Sequence, residues 1–228
     1  GANSRFNRLI GLECLSCHNA MPTEFVMGSE NKFAKVPGAI DCERCHGPGS
    51  AHVAKIQRGI ITDTSQNIDY SIVNPKKLTS ELKMELCQRC HLQGNAVLAD
   101  GRSFVDFRPG MRLSDVMDVY VPRYANDPSF IMASHADRLK QSACYLADPG
   151  KLDCTTCHNP HVSVRHTNKN VFNEACQGCH RPQACSATKI ELDAKNHQCV
   201  ECHMPVSGTE DIPHVTVHDH KIGKPLPA

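Results

Sequence analysis

Apolar residues along this chain fall in short, interrupted groups rather than long periodic runs. The clearest helical period follows Thr79: Leu82 and Leu86 are four apart, and the pattern runs on through Cys87 to His91, so Thr79 is expected to cap a helix. Asp100-Gly101, flanked by Val97-Leu98-Ala99 and Ser103-Phe104-Val105, predicts one hairpin over 97–107. Leu113 to Met117 should begin a short helix that ends near Pro122. Asp127, with Pro128 at the first helical position, should start the helix that carries His135. Turns and short helices account for the rest. No apolar run reaches the roughly 18 residues a membrane-spanning helix needs, so the chain is read as not membrane-spanning.

Composition sharpens this picture. The chain has 228 residues, 14 Cys, 14 His, 14 Gly, 14 Pro and no Trp, and only 5% is aromatic. Its mean hydropathy is −0.39. Those values leave too few bulky apolar side chains for an ordinary core at this length. Cysteine, at about 6%, exceeds normal usage without reaching the level of a small disulfide scaffold. An ordinary reduced cytosolic enzyme is therefore a poor fit. Lys and Arg total 25 against 24 Asp and Glu, with no basic block, which argues against nucleic-acid binding. Gly1 to Arg5 has neither an initiator Met nor a signal pattern, and 223–228 reads as a linker. A mature form or a piece of a longer chain is expected.

The cysteines explain the missing core. Twelve of the fourteen occur as Cys-x-x-Cys-His: Cys14/Cys17/His18, Cys42/Cys45/His46, Cys87/Cys90/His91, Cys154/Cys157/His158, Cys176/Cys179/His180 and Cys199/Cys202/His203. Paired Cys-x-x-Cys units can build zinc thiolate sites, but zinc needs no His at a fixed offset. Six such histidines by chance have a probability of about 5 × 10⁻⁸ at this His content, and a thioredoxin-like motif is expected once. Covalent c-type haem attachment fits instead, and six haem c groups are predicted. On a helical turn, positions i, i+3 and i+4 share a face, so two thiols can form thioethers while the His reaches the iron. At ~38 residues per haem, porphyrin would supply most of the apolar interior.

Eight histidines remain. His52, His135, His161, His197, His214 and His218 are the expected distal ligands, with His166 and His220 as substitutes. Gly47-Pro48-Gly49 should carry the chain back before His52, and Pro160 should redirect His161. In an extended tail, His214, His218 and His220 would share one face. Methionine is the rival ligand. Met204, directly after a proximal His, cannot turn onto the same iron, and Met84 is expected to pack on porphyrin.

Motif starts are 28, 45, 67, 22 and 23 residues apart, too irregular for a solenoid. The predicted organisation is a three-haem cluster in 1–95, a haem-free connecting segment in 96–134 and a second three-haem cluster in 135–228. The fold class expected is short α-helices and irregular loops wrapped around a chain of haems, with little β-structure. Haem attachment happens outside the cytoplasm, where disulfides persist. A Cys144–Cys185 bridge is therefore preferred over buried thiols or an axial thiolate.

The segments Cys45-His46-Gly47-Pro48-Gly49-Ser50-Ala51-His52, Cys157-His158-Asn159-Pro160-His161 and Cys202-His203-Met204-Pro205 resemble the multihaem cytochrome c superfamily. That group includes pentahaem nitrite reductase, octahaem hydroxylamine oxidoreductase and small tetrahaem electron carriers. The resemblance covers both haem clusters and not 95–134. It implies haems in stacked and perpendicular pairs, with His52 and His161 as distal ligands. The catalytic Cys-x-x-Cys-Lys of the nitrite reductases is absent, and Tyr70, Tyr120, Tyr124 and Tyr145 match no cross-linking motif of the hydroxylamine oxidoreductases.

The expectation is a periplasmic or extracellular electron carrier with mostly bis-His haems, no catalytic residues, and redox proteins or extracellular acceptors as partners. Two propionates on each haem would turn the formal +1 into about −11, which suits docking to a positive partner. The alternatives are an oxidoreductase acting on small nitrogen or sulfur species at one five-coordinate haem, and a protomer of a homo-oligomer or filament. The chain could equally be a domain of a larger multihaem protein.

Overall fold

The computed structural model describes residues 10–22, 24–27, 29, 32–123, 130–181 and 185–225. It falls into two units, Gly1–Cys90 with Asn95–Tyr120 and His91–Gly94 with Val121–Ala228. Asn95–Tyr120 group with the first unit and His91–Gly94 with the second. The expected starts at Asp127 and Pro128, Tyr124, the Gly1–Arg5 stretch and 226–228 lie outside the described residues.

In the first unit, α1 (Leu12–His18), α2 (Glu43–His46), α3 (Gly49–Gln57) and α4 (Ser80–His91, whose last residue opens the second unit) are joined by loops. α4 starts as the sequence predicts, because the Thr79 hydroxyl accepts from the Leu82 N–H at 3.3 Å. A two-stranded antiparallel sheet pairs β1 (Asn95–Leu98) with β2 (Met117–Tyr120), register Asn95↔Tyr120 to Leu98↔Met117. This corrects the 97–107 hairpin. Asp100-Gly101 does turn, with Gly101 at φ +69° and the Arg102 N–H bonded to the Ala99 carbonyl, but the chain then runs on to residue 117 before pairing. The helix expected from Leu113 is a single 3₁₀ turn, Leu113–Asp115, and Met117 already lies in a strand. The core is small: Leu12, Leu15, Val73, Leu78, Met84, Phe107, Leu113, Val116 and Met117.

The second unit holds α5 (His135–Lys140), α6 (Ala143–Ala147), α7 (Cys154–Cys157), α8 (Asn170–Gln177), α9 (Lys189–Ala194) and α10 (Cys199–His203). α5 begins at His135 itself, after Ser134. A second antiparallel pair, β3 (Val206–Gly208) with β4 (Thr216–His218), sets Val206 opposite His218. Among its described residues Phe130, Ala136 and Leu139 are the buried apolar ones, and five polar ones, Ser134, Arg138, Ser142, Asp153 and Asp219, are buried with them. Short helices, irregular loops and little strand agree with the coarse fold class. Among the described residues no helix is long and apolar enough to cross a membrane.

Phe107, 1% exposed, is the largest side chain in so thin a core. Phe107→Ala should cost about 3–5 kcal/mol in denaturant unfolding, whereas Ile190→Ala, at an 82% exposed site, should stay within about 0.5 kcal/mol.

Candidate metal centres

Each Cys-x-x-Cys-His motif sits on a helical turn. Cys14, Cys17 and His18 lie on α1, Cys45 and His46 on α2 with Cys42 capping it, and Cys87, Cys90 and His91 on α4. Cys154 and Cys157 form the ends of α7 with His158 as its C-cap; Cys199, Cys202 and His203 lie on α10. Cys176 is on α8, and one further turn brings the His180 N–H to the Cys176 carbonyl at 2.9 Å. The same i→i+4 bond closes the second and fourth motifs, His46 to Cys42 and His158 to Cys154, both at 2.9 Å. The spacing therefore puts thiols and imidazole on one face, as the period dictates.

The first three motifs meet through the residue before their second cysteine, in each case inside the first unit. Ser16, Arg44 and Arg89 are all buried. Arg89 donates from Nη1 to the Arg44 carbonyl at 3.3 Å and from Nη2 to the Ser16 carbonyl at 3.0 Å, and its guanidinium lies 5.8 Å from the Phe107 ring centre. The Cys17 thiol donates to the Arg89 carbonyl at 3.4 Å. Cys17 and Cys90 also share a hydrogen bond, which draws the Cys17 thiol down and, first among its causes, pushes Cys90 up. Burial and then the neighbouring Arg89 push Arg44 down to about 10, so it stays charged at neutral pH.

Glycine has a specific task after the second motif. Gly47 takes φ +91°, a left-handed turn only glycine adopts freely, and leads into α3, which carries His52. His46 and His52 then reach the same short stretch. The His46 Nδ1–H donates to the Val73 carbonyl at 2.8 Å. His52 Nδ1 lies 3.2 Å from Ser71 Oγ, whose own proton goes to Asp69 at 2.5 Å, so the imidazole is the donor. Asp69, also bound by Lys55, is held well below the usual carboxylate range, first by the Ser71 hydroxyl and then by Lys55.

The sixth motif shows the same device. His203 Nδ1–H donates to the Gly223 carbonyl at 2.8 Å, His218 to Met204 at 2.6 Å and His220 to His218 at 3.0 Å. A carbonyl can only accept, so in these histidines and in His46 Nδ1 is the donor, and Nε2 is the nitrogen that bond leaves uncommitted. Metal-binding histidines are oriented in this way.

In the second unit four imidazoles gather. His91 and His135 have ring centres 5.5 Å apart, His135 and His220 4.6 Å, and His158 and His220 6.2 Å at an interplanar angle of 27°. His220 is brought there by a buried fork: Arg138 Nε and Nη2 donate to the two Asp219 carboxylate oxygens at 2.8 and 2.6 Å. The Ser142 hydroxyl donates to the His220 carbonyl and accepts from the Ile222 N–H, both at 2.9 Å. Burial, then the neighbouring imidazoles, pushes His135 down to about 4; burial does the same to His220, against the pull of the His218 carbonyl.

The fifth and sixth motifs are tied by Asn173, whose amide donates to the His197 carbonyl and accepts from the Cys199 N–H, both at 2.9 Å. Cys176 and Cys199 share a hydrogen bond. Asn173 lies three residues before Cys176, on the same helix face, and that offset was a signal readable in the sequence.

Several expected positions differ. His197, at φ +55°, points Nε2 at Asp193 Oδ1, 2.9 Å away, and is largely exposed. That nitrogen is engaged with the carboxylate, which leaves Nδ1 as its uncommitted nitrogen. His214 sits in a left-handed turn at φ +66°, outside the strand, so it does not share a face with His218 and His220. His161 and His166 are exposed. His220, a substitute in the sequence reading, occupies the imidazole cluster instead. Cys144 and Cys185 are thiols and do not form the expected bridge. Cys144 lies near enough to Cys157 and Cys176 to raise both thiols by its charge, so it is turned toward the fourth and fifth motifs.

A haem iron takes only two ligands from the chain, and the residues fit that demand. His158 and His220 stand as one neighbouring pair, ring centres 6.2 Å apart, and His91 and His135 as another, 5.5 Å apart. Bare metal is a poorer fit, since among the described residues no group of three or more His, Cys, Asp or Glu side chains could hold an ion. Comparison of the chain with protein-family descriptions, curated proteins and solved structures finds no match.

These groups set an acid limit for the cofactor-free chain. His135 and His220 protonate near pH 4 when folded and near 6.5 when unfolded, so between those values the unfolded state binds more protons. Stability is full above pH 6.5 and falls as the pH drops toward 4. For Asp219, burial raises the carboxyl pKa but Arg138 and the Lys221 N–H outweigh it, so its share is lost only at still lower pH. Thermal melts followed by far-UV circular dichroism should show Tm falling steadily from pH 7 to 4.5; a flat Tm would contradict the buried neutral imidazoles.

Proposed function

We propose that this chain is a hexahaem c-type cytochrome that carries electrons between redox partners. Six helical turns presenting two thiols and an imidazole on one face are the observation that carries the reading. The thiols at Cys14, Cys17, Cys42, Cys45, Cys87, Cys90, Cys154, Cys157, Cys176, Cys179, Cys199 and Cys202 would hold the porphyrins. His18, His46, His91, His158, His180 and His203 would be the proximal ligands. Haem supplies one-electron chemistry when bound.

The residues of the chain orient and exclude. Val73, Gly223 and Met204 carbonyls fix imidazole tautomers, and Arg138 with Ser142 fixes the segment that presents His220. We assign His220 as the partner of His158 and His135 as the partner of His91, with His52 as the distal donor of the first unit. Carbonyl acceptors on the imidazole N–H groups and bis-imidazole ligation favour low potentials. Thioether attachment places the protein on the oxidising side of a membrane, facing redox proteins or extracellular acceptors.

One observation favours a second reading, an oxidoreductase at a single open iron. The first unit contains just three histidines, His18, His46 and His52, for two complete motifs. Two proximal ligands therefore share one distal candidate.

Intact mass of protein made with haem-attachment machinery should exceed 25.1 kDa by six haem increments, and any other number contradicts the proposal. Low-temperature EPR should show low-spin bis-imidazole iron throughout in a pure carrier; a high-spin, CO-binding iron selects the second reading. His220→Ala should convert one iron to a high-spin, CO-binding form while leaving the mass increments at six.

A further inference from the structure

The interior of the first unit contains two cations whose hydrogen-bonding capacity is incompletely used. Arg44 and Arg89 are 5% and 7% exposed. Each guanidinium has five N–H donors and no acceptor. Arg89 uses Nη1 and Nη2 on backbone carbonyls, while its buried Nε–H has no partner. Arg44 offers Nη1 to the Met21 sulfur at 3.5 Å, a weak acceptor, and its buried Nη2 has no partner. The two side chains lie close enough for each to feel the other's charge.

A buried guanidinium whose N–H groups stay unpartnered is costly until an anion meets it. A planar carboxylate matches guanidinium donors in shape and charge.

We propose that Arg44 and Arg89 form a buried anion site for a carboxylate. In the haem-bearing protein a propionate fills it; in the cofactor-free chain a small carboxylate from solution can. The propionate half rests on the haem reading, and the site itself does not. The arginines sit at the same offset in two motifs, Cys42-Glu43-Arg44-Cys45 and Cys87-Gln88-Arg89-Cys90, and Arg89 is kept in place by Ser16, the residue at that offset in the first motif. The site would thus assemble only when all three turns are packed.

The test has two arms. The cofactor-free full chain is melted in acetate and in chloride at equal ionic strength, as wild type, Arg44→Gln and Arg89→Gln. Acetate should raise the wild-type Tm by several degrees over chloride and should lose that advantage in Arg44→Gln, the milder change because it removes no backbone clamp. Haem-bearing protein with ¹³C-labelled propionates is then titrated by infrared spectroscopy. One carboxylate band should stay ionised to lower pH than the others in wild type and rejoin them in Arg44→Gln. Equal Tm in both salts together with an unchanged band in Arg44→Gln overturns the site, as does an acetate effect that persists in Arg44→Gln. Selective stabilisation by acetate in a chain that gains no haem mass upholds the site and sinks the haem reading; six increments with neither signal do the reverse.

Discussion

A guanidinium taken out of water must find oxygen for its N–H groups, and both units of this chain are organised around that requirement. With nine buried apolar residues among those described in one unit and three in the other, hydrophobic burial alone gives few fixed points. Arg89 supplies them in the first unit by bonding the backbones of two other motifs. Arg138 supplies them in the second by forking onto Asp219 and lying 5.0 Å from the Phe130 ring centre. Breaking one side of such a pair leaves a stranded charge, typically worth about 3–5 kcal/mol, more than deleting most single apolar contacts here.

The site chemistry depends on these fixed points. An imidazole is useful to a metal only if its tautomer and direction are set, and here the setting groups are backbone carbonyls far along the chain. Val73 serves His46 and Gly223 serves His203, so loops without chemistry of their own determine which nitrogen is free. The same economy appears where Asn173 holds the loop before Cys199. Under the haem reading, the polypeptide contributes orientation and shielding while the cofactor contributes the electron chemistry.

The local layer was legible in the sequence: every Cys-x-x-Cys-His motif lies on a helical turn, α4 begins after Thr79, and Gly47 turns the chain toward His52. The long-range layer was not. A period of 3.6 says which residues share a face, but nothing in a one-dimensional pattern says that Asp219 meets Arg138 or that Ser71 lies under His52. The Asp100-Gly101 signal was true as a turn and misleading as a hairpin, because the strand that pairs with Asn95–Leu98 comes only after Gly110 and the 3₁₀ turn. An extended tail would carry three histidines on one face. A left-handed residue at His214 removes one of them, and the Arg138 fork turns His220 inward.

The Arg138–Asp219 fork closes a chain loop whose ends are 81 residues apart, and the fourth, fifth and sixth motifs all lie inside it. Thioethers within a motif join positions only three apart, so they tether a cofactor without shortening that loop. Loop-closure entropy in the cofactor-free chain therefore falls on this fork and the two Ser142 hydrogen bonds beside it, all noncovalent. If haems are attached as proposed, the second unit can open like a clasp and shut again with its full complement of iron still on the chain. Its unfolding and the loss of its cofactors are separate events.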